Sequence, residues 1–341
     1  GDVYKRQMLN LVPLREGQTH RQAFDSMIRL AQHAESLNYA RYWIAEHHNM
    51  PNILSSATQL LIGHTLAQTK SIRVGSGGVM LPNHSPLQVA EQYGTLATLY
   101  PNRVDLGLGR APGTDPRTAM ALRRGNQDVS LNFPDDVEEL QRYFGDADKQ
   151  GYVKAYLAMG KHLPLYILGS STESAFLAAA KGLPYVFAAH FAPRLLETAV
   201  QIYRQQFQPS DVLDKPKVIV GINAVVAETD EEAKFLSTSQ EQQFLGVVSG
   251  RMRPLQPPVQ DMSALWTASE EFAVRQMLAA SIVGGKETVA QHLESFQRVI
   301  RADELMVTNY VYDEGKQAQS FAWFKDCLLY TSDAADDSLR V

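Results

Sequence analysis

IRVGSGGVMLPNHSP, residues 72–86, begins as a strand and ends at the start of a helix. Ile72, Val74, Val79, Met80 and Leu81 are residue types that fill a parallel sheet buried on both faces. Gly77 and Gly78 interrupt the run, and a glycine pair within a strand marks a bulge or a close approach to the backbone. Asn83 and His84 follow. Ser85, Pro86 and Gln88 then read as an N-cap, a first-turn proline and a capping-box glutamine. A strand with a gap in its side-chain wall thus hands two polar groups to a strand-to-helix loop, where α/β enzymes carry their chemistry.

Outward from this stretch the same alternation recurs. Met8–Pro13, Tyr42–Ala45, Val104–Gly109, Leu165–Gly169, Tyr185–Ala188, Val218–Ala227 and Glu304–Val311 read as strands, making eight with the one above. Helical patterns lie between them. Thr19 with Gln22, Ser56 with Gln59, and Thr229 with Glu232 have capping-box spacing at helix starts. Two stretches break the rhythm. The first, Asp115–Leu163, is polar, with helical pieces near Thr118–Arg124 and Asp135–Phe144. The second, Gly246–Trp266, carries glycine and proline without period and is expected to be a long loop. The pattern predicts one (β/α)8 TIM barrel with insertions after strands 4 and 7.

Composition agrees with that class. The chain has 341 residues, 45% apolar and 20% charged, enough to bury a large core. A net charge of −5 without a basic run argues against a nucleic-acid surface. No apolar run reaches membrane-spanning length, and a cytoplasmic protein is the expectation. The ends, residues 1–7 (GDVYKRQ) and 327–341 (CLLYTSDAADDSLRV), resemble translated sequencing-adapter read-through and are set apart as non-native, leaving residues 8–326 as the domain. The single cysteine, Cys327, falls in the tail set apart, so neither a disulfide nor a thiol nucleophile is expected.

In such a barrel the site is built from loops after the strands. Glu46, His47 and His48 follow the second strand, Asn83 and His84 the third, and Arg110 the fourth. Ser170 and Ser171 follow the fifth, His190 the sixth, and Asn309 the eighth. Ser170 and Glu173 have capping-box spacing, and the helix they open could hold a phosphate on its free N–H groups; plain capping without a ligand explains the residues equally. His47 and His48 leave a strand towards opposite faces and are poorly placed to share an ion, so no metal is expected. One of them suits acid/base work or hydrogen bonding, the other structure. Arg110 suits either a phosphate or a local carboxylate.

Together YWIAEHHNM (Tyr42–Met50), RVGSGGVMLPNHSP (Arg73–Pro86), YPNRVDLGLGRAPG (Tyr100–Gly113) and ILGSS (Ile167–Ser171) resemble the bacterial luciferase-like monooxygenase family, in its small non-luminous single-chain form. The resemblance implies reduced FMN reacting with O2 on a small-molecule substrate, the flavin being reduced by a separate reductase, and a homodimer. It places the catalytic histidine on His47. A mid-strand bulge under the flavin, often with a non-proline cis peptide, falls on Gly77–Gly78, with Asn83 beside it. The phosphate cradle falls on Gly169, Ser170 and Ser171, with Arg110 as a phosphate contact. Gly109 stands where luciferases carry a cysteine, and a second phosphate-binding arginine has no match, so light emission is not implied. A deazaflavin-dependent dehydrogenase of the same family and a non-catalytic FMN-binding protein are the alternatives.

Overall fold

Val218–Val226 is buried along its whole length, as a strand must be when side chains fill a barrel on one face and helices cover the other. It is the seventh of nine strands in the computed structural model, which describes residues 5–125 and 129–337, with side chains described as far as Leu328. The strands are β1 (Lys5–Asn10), β2 (Arg41–Ile44), β3 (Arg73–Met80), β4 (Val104–Gly109), β5 (Leu165–Gly169), β6 (Tyr185–Phe187), β7 (Val218–Val226), β8 (Ile282–Gly284) and β9 (Glu304–Thr308). From β1 to β7 each pairs in parallel with the next. β9 pairs with both β7 and β1, which closes an eight-stranded parallel barrel. β8 lies outside the ring and, among the described residues, pairs with the end of β7 alone (Ala224 opposite Ile282).

The period of two sorts the side chains. Leu9, Trp43, Tyr166, Val186, Ile219 and Met306 meet inside the barrel. Their neighbours Met8, Tyr42, Ile167, Val220 and Val307 face the helices. Trp43 and Tyr166 meet edge to face at 4.9 Å between ring centroids. Towards the amino end of the strands the interior turns ionic. Asp105 accepts from Arg41 at 2.8 Å, Arg73 at 2.8 Å and Trp43 Nε1 at 3.1 Å, while Arg41 also reaches Glu304 at 3.3 Å.

Several local expectations change. β1 takes up Lys5–Gln7, residues set apart on sequence, because they find ladder partners in Arg41 of β2 and Glu304–Met306 of β9. The last helix runs from Glu314 to Asp337, and Cys327 and Leu328 are buried. Of the ends set apart, residues 1–4 and 338–341 lie outside the described residues, as do the side chains of 329–337. Thr19 and Gln22 form the expected box, and Thr229 caps its helix. Ser56 and Gln59 do not: the helix starts at Thr58, whose hydroxyl donates to Ala45 O and Ser55 O instead. Ser85 stands at its N-cap without a side-chain bond, the start being set by Pro86. The helix Asp230–Ser249 runs straight through Gly246, so the expected loop begins only at Gly250. Residues 110–164 carry helices Pro116–Leu122 and Phe133–Phe144, and their backbone crosses the helix Pro86–Leu99 so closely that a Cβ at Gly94 would lie 2.5 Å from Leu157 O.

Candidate active site

At the carboxyl end of β2 the chain delivers a buried carboxylate. Glu46 is 1% exposed. Its Oε1 accepts from Nε2 of His48 at 2.7 Å and Nε2 of His84 at 2.8 Å; its Oε2 accepts from the backbone N–H of Met80 at 2.8 Å. Asn83 adds a long bond at 3.4 Å and donates to Pro112 O at 2.8 Å. Burial alone would raise this carboxyl, but the hydrogen bonds from His48 and His84 outweigh it and bring it down to about 2. One carboxylate thus ties together the loops after β2 and β3, and Asn83 extends the tie to the loop after β4. Among the described residues no group of three or more His, Cys, Asp or Glu side chains is arranged to hold a metal ion.

His47, next in the chain, turns the other way. Its Nδ1 is buried and meets no protein partner, and burial lowers its pKa below the ordinary 6.5. It lies close enough to His190 for its charge to be felt there. Burial, with that charge second, drives His190 down to about 3. His190 Nδ1 is likewise buried and unpartnered. Gly221 of β7 makes room for this ring, since a Cβ there would sit 2.6 Å from His190 Nδ1. Asn223, two residues further along β7, donates to His190 O, and its Oδ1 is buried without a partner. Two neutral imidazoles and an amide oxygen therefore stand at the mouth with hydrogen-bonding capacity unspent. Buried polar atoms in that state call for a partner, an ordered water or a bound group.

The Gly77–Gly78 peptide is cis, and the register between β3 and β4 shifts between Ser76 and Val79. Ser76 replaces the missing ladder bonds: its Oγ accepts from Gly107 N at 3.1 Å and donates to Gly107 O at 2.8 Å. A Cβ at Gly77 would meet Leu9 Cδ1 at 2.8 Å, and one at Gly78 would meet Gly107 O at 2.9 Å.

The serine loop differs from its sequence reading. The N-cap is Ser171, not Ser170, and its Oγ accepts from Ser174 N. Ser174 Oγ is fixed by Ser171 O and Tyr185 OH, which sets the first turn one residue later. Gly169 leaves the space Ser174 needs: a Cβ would lie 2.3 Å from its Oγ. Glu173 is consequently free of capping and binds Arg110, which donates to it through Nη1. The local carboxylate therefore holds Arg110 here.

A family model described as luciferase-like monooxygenase matches residues 8–302. The chain belongs to the luciferase-like monooxygenase family. A luciferase-like monooxygenase of Escherichia coli (strain K12) is 48% identical over 314 residues, covering 92% of this chain and 94% of its own. Among solved structures, apo-MsnO8 is 31% identical with a TM-score of 0.85, covering 95% of this chain and 98% of its own. Two others share the fold alone. A type II Baeyer–Villiger monooxygenase in complex with FMN has a TM-score of 0.71 at 18% identity, over 95% of this chain and 97% of its own. An F420-dependent secondary alcohol dehydrogenase has 0.70 at 15%, over 95% and 99%.

In this luciferase-like barrel the structure brings His47, Gly77–Gly78 and Asn83 to one mouth, with Gly169 at the end of β5, Ser170 and Ser171 on the loop after it and Arg110 on the loop after β4. Asn309 is spent on structure, donating to Ala224 O at 3.2 Å and accepting from Gln317 at 3.1 Å. Sequence reasoning left Glu46 and Asn223 without a role. Asn223 had a signal: it is the one polar side chain inside the apolar run VIVGINAVV.

Proposed function

We propose that this chain is a monooxygenase that uses reduced FMN and O2 to oxygenate a small organic substrate. The observation that carries the reading is the pair His47 and His190 at the barrel mouth, both neutral, His190 buried and His47 half-buried beside the Gly113 backbone, each with a buried Nδ1 that has no partner. These residues fit a flavin. The two ring nitrogens and Asn223 Oδ1 are the donors and acceptors that the polar edge of a heteroaromatic ring satisfies, and Leu9, Trp43 and Met306 give a dry floor. The first turn of helix Thr172–Lys181, after Ser170 and Ser171, suits a phosphate. Arg110 would join it by exchanging Glu173. Reduced FMN, when bound, supplies the electrons for oxygen activation. His47 holds a proton or a lone pair at the mouth, and being neutral at pH 7 it can serve as donor or acceptor. The apolar interior keeps water away from that exchange.

The monooxygenase name of the Escherichia coli relative and the FMN complex among the fold neighbours support this reading. A separate reductase, a homodimer and a cytoplasmic setting belong to it. The fold likeness to an F420-dependent dehydrogenase favours a second reading, hydride transfer with a deazaflavin. Anaerobic titration with reduced FMN, then mixing with oxygenated buffer, tests the two. Binding followed by an oxygen-dependent absorbance transient supports the monooxygenase. Binding of reduced deazaflavin but not FMN moves the chain to the dehydrogenase, and FMN binding without oxygen reactivity makes it a non-catalytic flavin binder.

A further inference from the structure

We propose that Met80 is an oxidation site: hydrogen peroxide formed at the barrel mouth turns its thioether into a sulfoxide, which then hinders flavin binding. This presupposes the flavin and oxygen of the reading above. The place of the sulfur carries the assignment. Met80 ends β3, is half-buried, and has its N–H held by Glu46 Oε2 at 2.8 Å. Leu106 and Leu108 of β4 face the helices, so Gly107 and Gly109 face the barrel interior. A Cβ at Gly109 would lie 2.8 Å from Met80 Cε and 3.0 Å from its Sδ. The thioether thus fills, inside the mouth, the space that a side chain at 109 would take. Gly113, on the loop after β4, makes room as well. A Cβ there would sit 3.2 Å from Met80 Cγ and 2.6 Å from Glu46 O, the carbonyl that leads into His47.

The other methionines differ in access or in place. Met8, Met27, Met262 and Met306 are buried. Met120, 55% exposed, and Met159, half-buried, lie on the insertion after β4. Met252 and Met277 belong to the insertion after β7, and Met50 to the loop after β2, all three half-buried. Only Met80 combines partial access with a sulfur lodged against a strand end inside the mouth. The oxidant is hydrogen peroxide, the product when O2 takes the two electrons of a reduced flavin and no substrate receives the oxygen. A sulfur lone pair attacks one peroxide oxygen, the S–O bond forms and the O–O bond breaks. The other oxygen departs as hydroxide and takes up the proton left on the transferred oxygen, giving water. Sulfur is oxidised by two electrons and the peroxide is reduced. The sulfoxide is polar where the thioether was apolar, and the glycines at 109 and 113 offer it no side-chain donor.

The test takes the full chain through repeated cycles of reduced FMN and oxygenated buffer without substrate, with catalase present to destroy escaped peroxide. Peptide mass spectrometry then reads the oxygen gained at each methionine. Met80 should be oxidised at least about tenfold faster than Met120 or Met159, because peroxide formed beside it acts before it disperses. A peroxide bath without flavin should reverse the order, since free peroxide favours the exposed sulfur of Met120. The cycled protein should lose affinity for reduced FMN and regain it with methionine sulfoxide reductase. Met80→Leu, close in volume and without sulfur, should keep its starting affinity through the same cycles. An unmodified Met80, faster oxidation of Met50 or Met120 under catalase, or a Met80→Leu protein that declines as the parent does would overturn the assignment. The anaerobic titration separates the two failures. If reduced FMN binds and Met80 stays unmodified, the oxidation site alone is lost; if reduced FMN does not bind, the flavin reading falls and takes the site with it.

Discussion

Glu46 shows how much one side chain can organise when it is buried and fully bonded. Its folded pKa, about 2, lies below the unfolded value of 4.5. Its contribution is therefore complete above pH 4.5 and lost as pH falls through about 2. A shift of this size is worth up to about 3 kcal/mol. Urea denaturation from pH 6 to pH 2 should show Glu46→Gln less stable than the parent at neutral pH, the gap closing towards pH 2. Parallel curves would remove Glu46 from this role. His47 makes the opposite prediction. His47→Ala should weaken reduced FMN by about tenfold at most, the worth of one hydrogen bond, but shorten the oxygen-dependent transient by about a hundredfold or more in stopped flow, the scale of a lost acid/base group. An unchanged lifetime would leave His47 a packing residue. The residues themselves announced only part of this. His47 and His48 stood out together because histidine titrates near neutrality and both follow a strand; the family resemblance, not the spacing, chose His47. Glu46 did not stand out, because a lone glutamate before two histidines reads as a solvated loop residue until the fold wraps Met80, His48 and His84 around it.

Among the elements, the β3–β4 pair carries the irregularity on which the mouth depends. Ser76 spends its one hydroxyl on both backbone groups of Gly107. Ser76→Ala leaves those groups buried and unmet and should cost about 1–3 kcal/mol. Gly107→Ala should be as damaging by another route, since its Cβ would lie 2.3 Å from Ser76 O and force the strands apart. Thermal unfolding checks both, and a Gly107→Ala protein as stable as the parent would contradict the close approach. Strand β4 was legible to the residue, because VDLGLG between turn signals has few other ways to be buried. Helix starts were less so. S-x-x-E spacing at Ser170 met all local requirements, but Tyr185, from another strand, fixed Ser174 and moved the cap. Short β8 exists only because β7 offers it an edge, a fact no local pattern contains.

The whole barrel adds one more requirement, at the end away from the mouth. Asp105 is fully buried and balances Arg41 and Arg73. Asp105→Ala should destabilise the fold by about 3–5 kcal/mol, because Arg73 loses its counter-charge and Arg41 is left with Glu304 alone in a buried layer. In protein that remains folded, affinity for reduced FMN should hold. Denaturant titration and flavin binding read on the same sample separate the two effects. This ionic floor was invisible in the sequence: Arg41, Arg73, Asp105 and Glu304 stand at strand starts, where a charge ordinarily reads as a solvated turn.

Closure also sets an order of events. Met8 is laddered to Val307, and Val220 to Leu305, so β9 is the keystone between the first strand and the seventh. Asp303 fastens it, donating its N–H to Val218 O at 2.8 Å and accepting from Val218 N at 2.7 Å. A nascent chain that has not yet emerged past Thr308 carries two unpaired strand edges flanking a slit, the arrangement that invites sticking to other chains. The histidines at the rim are all made before β9, yet their pocket closes against water only once Glu304–Thr308 has left the ribosome.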